Sequence, residues 1–133
     1  MDRTNLMLAS LLAGMAVAAG AFGAHGLEQL TNDPKILHTY QTAVQYHFWH
    51  ALALLLVGAL VPLANARFIY WARQSFLTGL LCFCGSLYYL TYLRITGKVV
   101  QKWLVILTPL GGLFFILGWM VFALSFAPLK RAN

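Results

Sequence analysis

Four long apolar stretches, separated by short polar ones, organise this chain. The first covers residues 6–26 and holds no charge apart from a protonatable His25. As a helix, those residues would rise ~31 Å, about the hydrocarbon thickness of a bilayer. Small residues recur on one face at Ala16, Gly20 and Ala24, with Ala19 and Gly23 alongside, and this spacing predicts a packing face for a neighbouring helix. The stretch closes on Gly20-Ala21-Phe22-Gly23-Ala24-His25-Gly26, where missing side chains allow close backbone approach beside one ionisable group.

After a polar connection over residues 27–33, Asp33 and Pro34 form a helix-start signal. The helical pattern then runs to about Val61, longer than a bilayer requires. Residues 34–45 carry a polar stripe (His38, Gln41, Thr42, Gln45) opposite Ile36, Leu37, Tyr40 and Val44, which predicts an amphipathic interfacial lead-in. The second span is expected over 46–64, with Pro62 helping to end it.

Residues 65–74 read as a hydrophilic turn with Arg67 and Arg73, framed by an aromatic belt of Phe68, Tyr70 and Trp71. A third span over 76–93 offers Gly79, Gly85 and Ser86 as close-approach positions. The fourth, over 103–127, is interrupted by Thr108-Pro109-Leu110-Gly111-Gly112, where a kink or brief unwinding is expected. The fold class is all-α: one integral-membrane domain, a four-helix bundle with an amphipathic interfacial extension at the start of its second helix. Gly20, Gly23, Gly26, Gly85, Gly111 and Gly112 are the expected helix-packing positions.

Composition agrees with this pattern. The chain is 61% hydrophobic and 9% charged, against roughly 25% charged in ordinary soluble chains. The net charge of +6 is scattered between apolar runs rather than gathered on one face, which argues against nucleic acid and for anionic lipid headgroups. A signal peptide is disfavoured, because the first run exceeds the usual signal core and only Arg3 precedes it. Four spans put both ends on one side. Counting Arg3, Arg67, Arg73, Lys130 and Arg131 against Lys35, Arg94, Lys98 and Lys102 places both ends in the cytoplasm, by one cation. Cys82 and Cys84 point roughly 200° apart on a helix and read as packing residues, not a disulfide.

Candidate chemistry centres on histidine, because an imidazole at membrane depth is unusual. His47 and His50 share a helix face, and re-entry of the second helix would bring them level with His25. Three convergent imidazoles would suit a transition metal or haem, and isolated ones would simply hydrogen-bond to neighbouring helices. The isolated reading is preferred, so no metal or cofactor is expected. Ser86 and Thr108 lack an acidic partner, and Asp2, Glu28 and Asp33 all fall outside the spans, so no enzyme is expected. A ligand site, if one exists, would be lined by His25, His47, His50, Tyr46, Ser86 and Thr108.

Read together, Gly20-Ala-Phe-Gly-Ala-His-Gly-Leu27, Tyr46-His-Phe-Trp-His-Ala-Leu52, Gly85-Ser-Leu-Tyr88 and Thr108-Pro-Leu-Gly-Gly112 followed by Gly118-Trp119 resemble the YgdD-like family. That family comprises small bacterial inner-membrane proteins with relatives in animal cells. The resemblance covers almost the whole chain. It implies a four-helix multi-pass protein of the inner membrane and brings no established activity and no catalytic residues. Cys84 and the basic Lys98–Lys102 stretch are its minor departures. The functional expectation is an accessory or structural membrane protein, or a binder of lipid or a small ligand, with a homo-oligomer or membrane partner. The alternative is a small oligomeric transporter or channel using the Gly/Pro-interrupted helices; a His-ligated metal or haem protein ranks last.

Overall fold

The computed structural model describes residues 2–127, so Lys130 and Arg131 of the charge count lie outside the described residues. Four helices long and apolar enough to cross a membrane account for nearly all of them: α1 (Arg3–Leu30), α2 (Pro34–Leu63), α3 (Ala66–Ile95) and α4 (Lys102–Leu124). There is no strand among the described residues.

The helix ends follow from capping chemistry. The carboxylate of Asp33 accepts from the Lys35 backbone N–H at 2.8 Å and starts α2. Asn65 does the same for α3, accepting from Arg67 at 3.0 Å. This corrects the expected hydrophilic turn over 65–74: residues from Ala66 onward are already helical, and their polar side chains are one face of an amphipathic first half. At the far end Gly97 takes φ 65, the one positive φ among the described residues. With Gly97 N–H on Arg94 O and Lys98 N–H on Leu93 O, α3 ends in a glycine-dependent reversal.

Consecutive spans pack on one another, α1 on α2, α2 on α3 and α3 on α4. The tightest contact is between α3 and α4, where phenylalanines fill notches left by glycines. A Cβ on Gly118 would stand 2.7 Å from the Phe76 ring, one on Gly79 2.5 Å from the Phe115 ring, and one on Gly111 2.3 Å from the backbone nitrogen of Phe83. Phe76 and Phe115 are thereby buried. Gly58 makes a similar notch for Asn5 and Leu6. The expected packing set is corrected accordingly. Gly85 faces open space, Gly26 meets only Phe22 of its own helix, and Gly112 has ordinary contact with Phe83, whereas Gly58, Gly79 and Gly118 are close-approach points. Gly20 and Gly23 meet Val44 and Tyr40 of α2, but Ala24 is exposed.

As expected, the helix that starts at Pro34 runs without a break, Pro34–Leu60, and Tyr40 packs beside Gly23 and donates to Ala19 O at 2.8 Å. That register sets the lead-in alongside the last third of α1. The break expected at 108–112 is absent, and α4 stays helical through Pro109. Unwinding would have released further carbonyls into hydrocarbon, a larger cost than the single donor proline lacks. The departures from α-geometry fall elsewhere, in π-helical turns at Gly23–Leu27 and Leu80–Cys84.

A polar clamp closes the end of the bundle at which α1 begins. Asn5 is fully buried. Its amide donates to Leu54 O at 2.7 Å and accepts from Arg73 Nε at 3.0 Å, joining three helices. Asp2 caps α1 at Asn5 N–H, and its own N–H reaches Gly58 O at 3.1 Å.

Two predictions follow from this packing. Gly111→Ala should lower stability by about 1–3 kcal/mol through overpacking, whereas Gly85→Ala should be neutral or stabilising by about 0.5–1 kcal/mol. Thermal unfolding in detergent checks both, and equal effects would show that the Phe83 contact is not tight. Asn5→Ala leaves two partners unsatisfied and should cost about 2–3 kcal/mol in the same assay, against little for the exposed Thr4→Ala.

Candidate functional site

The polar side chains inside the bundle form inter-helix pairs rather than one cluster. On α2, His50 is held from both nitrogens. Its Nδ1 lies 2.8 Å from Tyr46 O, which can only accept, so Nδ1 carries the proton. Its Nε2, then unprotonated, accepts from the Trp119 indole of α4 at 3.3 Å. The ring stacks on Phe115 with centroids 3.5 Å apart and planes at 12°. A histidine so engaged is neutral and has no free lone pair for a metal.

His47, one turn away, is 3.3 Å from the Tyr88 hydroxyl of α3. Ser86 of α3 and Thr108 of α4 meet at 2.7 Å. Ser86 also reaches Phe83 O at 2.9 Å, and Thr108 reaches Leu104 O at only 3.4 Å. Each hydroxyl has one proton, so the shorter contacts select Thr108 donating to Ser86 and Ser86 donating to Phe83 O. His25 is exposed at the end of α1 and bonds Ala21 O of its own helix at 3.2 Å. The three imidazoles therefore do not converge, and no group of three metal-ligating side chains exists among the described residues. The sequence-expected lining divides into His50 with Tyr46, His47 with Tyr88, Ser86 with Thr108, and His25 alone.

Two of these groups border cavities: His47 with Tyr88 lines an apolar one of about 380 Å³ beside Leu12 and Leu80, and His50 with Tyr46 lines a larger one walled by aromatic rings. Between α2 and α4 lies a cleft of about 470 Å³ walled by Tyr46, Trp49, His50, Phe83, Phe115 and Trp119, with Pro109 and Gly112 on its α4 side. Its size is in the range of small-molecule sites. Tyr46 is the centre of the ring cluster, 4.7 Å from Phe83 and 5.4 Å from Trp49 between centroids. The polar groups there divide sharply. His50 and Trp119 satisfy each other, whereas the Tyr46 hydroxyl and the Trp49 indole N–H have no hydrogen-bond partner among the described residues. Tyr46 is half-buried and Trp49 is 53% exposed, so both donors remain reachable.

The register gives the depth of the cleft. Val44 faces Gly20 and Leu54 faces Asn5, so Tyr46 to His50 lie level with the middle of the α1 apolar run. Indoles and phenols ordinarily sit at the interfaces, where water takes their polar ends. Here two donors stand near mid-membrane and open onto a cavity. The sequence reading found Tyr46 and His50 but missed Trp49, Phe83, Phe115 and Trp119; the Tyr46-His-Phe-Trp-His50 run and Gly118-Trp119 carried the signal, but nothing in sequence paired α2 with α4.

Outside the spans, Lys98 donates to the Tyr92 hydroxyl at 3.0 Å, and that bond raises its pKa.

No solved structure matches the chain. Relatives named UPF0382 membrane protein do. One from Staphylococcus epidermidis (strain ATCC 12228) is 39% identical over 130 residues, covering 96% of this chain and 97% of its own. The Bacillus subtilis protein YwdK is 38% identical, covering 90% and 93%. A relative from Schizosaccharomyces pombe is 34% identical, covering 84% and 92%. The family described as "Protein of unknown function (DUF423)" matches residues 19–112. With four spans and this similarity over almost its whole length, the chain belongs to the DUF423/UPF0382 family and is a multi-pass membrane protein of undetermined biochemical role.

Proposed function

We propose that the protein binds a lipid-soluble, largely planar molecule carrying an oxygen acceptor, of quinone type, in the α2–α4 cleft. The observation that carries this reading is the unpaired Tyr46 hydroxyl and Trp49 N–H in an aromatic-walled cavity. A donor left unpaired in hydrocarbon is costly, and the Trp49 indole N–H can only donate while the Tyr46 hydroxyl can donate as well as accept, so a ligand carbonyl satisfies either donor. Stacked rings supply the apolar contact a planar ligand needs. Membrane-facing access suits a ligand that arrives through the bilayer. The role is binding rather than catalysis, since all three carboxylates stand near the ends of the helices. Transport gains no support from α4, whose helix is intact where a substrate-binding break was expected.

The bacterial inner membrane is the proposed location, as the YgdD-like motifs imply, with basic ends against anionic headgroups and both termini cytoplasmic. Arg73 is drawn into the Asn5 clamp, so the loop cations stand four against four. The tie leaves the orientation to the acidic first loop, Glu28 and Asp33, placed outside; in that orientation a periplasm-dependent reporter at the C-terminus should be silent, and activity there reverses it.

Titrating the detergent-solubilised protein with a short-chain ubiquinone should give saturable quenching of tryptophan fluorescence. Tyr46→Phe keeps every indole and should weaken the apparent affinity roughly five- to tenfold, the worth of one hydrogen bond. Non-saturable quenching, or a variant indistinguishable from the parent, contradicts the reading.

A further inference from the structure

A second cleft, of about 290 Å³, opens between α1 and α2, one helical turn along α2 from the aromatic one. Its floor is small, with Gly20, Gly23 and Ala24, and its walls carry Glu28, Gln41 and Gln45 beside Tyr40 and Val44. The Tyr40 hydroxyl is already used on Ala19 O. Neither the Glu28 carboxylate nor the two glutamine amides has a side-chain hydrogen bond among the described residues.

Depth makes this arrangement informative. Glu28 lies two residues beyond the apolar run of α1, at headgroup level. Gln41 and Gln45 are one turn apart on α2, and Val44 packs beside Gly20, so Gln45 is level with a residue about six positions, or ~9 Å, inside the end of that run. A primary amide at that depth has no water to satisfy it and needs a partner. The cleft thus descends from a carboxylate at the surface to amide donors below it. A diacyl phospholipid presents the complementary order: a headgroup cation outermost, then phosphodiester and ester oxygens, then acyl chains.

We propose that this cleft binds one phospholipid whose headgroup ends in a primary ammonium. The ammonium donates to Glu28, the phosphodiester and ester oxygens accept from Gln41 and Gln45, and an acyl chain lies over Gly20 and Gly23. The carboxylate sets the class of headgroup. An ethanolamine ammonium brings N–H donors, a quaternary choline brings none, and a glycerol headgroup with its net negative charge meets Glu28 unfavourably. The site shares no lining residue with the aromatic cleft.

The test is native mass spectrometry of the full chain released from micelles containing equal phosphatidylethanolamine and phosphatidylcholine of identical acyl chains. The parent should retain one phosphatidylethanolamine, preferred about tenfold, as suits a charge-assisted hydrogen bond. Glu28→Gln should equalise the two lipids, and Gln45→Leu should lower retention of both while leaving the preference. All three polar side chains are exposed, so both variants should fold, and circular dichroism melts verify this. Equal retention of the two lipids by the parent, or an undiminished preference in Glu28→Gln, overturns the proposal.

Discussion

Hydrocarbon supplies no hydrogen bonds, and that constraint shapes this protein more than any single packing contact. Several buried polar side chains find their partner on a different helix. Asn5 of α1 joins Leu54 of α2 and Arg73 of α3. Tyr40 of α2 returns to Ala19 of α1, His47 meets Tyr88 of α3, His50 meets Trp119 of α4, and Ser86 of α3 meets Thr108 of α4. No buried side-chain polar atom is left without a partner among the described residues. Because lipid tails are as apolar as leucine, such pairs specify which helices meet, where apolar burial alone would not.

Glycine supplies the complementary part. Notches at Gly79, Gly111 and Gly118 let α3 and α4 approach until Phe76 and Phe115 interlock. That approach sets the Ser86–Thr108 contact and places Phe115 as the flat surface on which His50 lies. Packing and polar satisfaction thus reinforce each other. The aromatic cleft is formed where this close fit of α3 and α4 gives way to the looser juxtaposition of α2 and α4, leaving Tyr46 and Trp49 with donors unspent.

Much of the fold was legible in the sequence because spans are coded by uninterrupted hydrophobicity, and four such runs are present. Asp33 and Pro34 announced α2 equally plainly. What misled was polarity that helices tolerate: Arg67, Arg73 and Gln74 read as a turn, yet Asn65 starts a helix directly before them. Pro109 and its glycines read as a break, yet the glycines serve close approach and the helix continues. The histidines were recognisable as polar groups at depth, but their partners lie 41 and 69 residues away, a pairing no local pattern encodes. Asn5 precedes the first apolar run and carries no local signal, because its burial arises only when α1, α2 and α3 meet.

The account rests on a contrast between two indoles in one cleft: Trp119 committed to His50, Trp49 free to donate. Indole proton–nitrogen correlation spectra of the micellar protein, recorded as a short-chain quinone is added, test that contrast directly. The account predicts that the Trp49 resonance moves progressively downfield to a plateau while the Trp119 resonance keeps its hydrogen-bonded position. Equal movement of both indoles, or of neither, would contradict it.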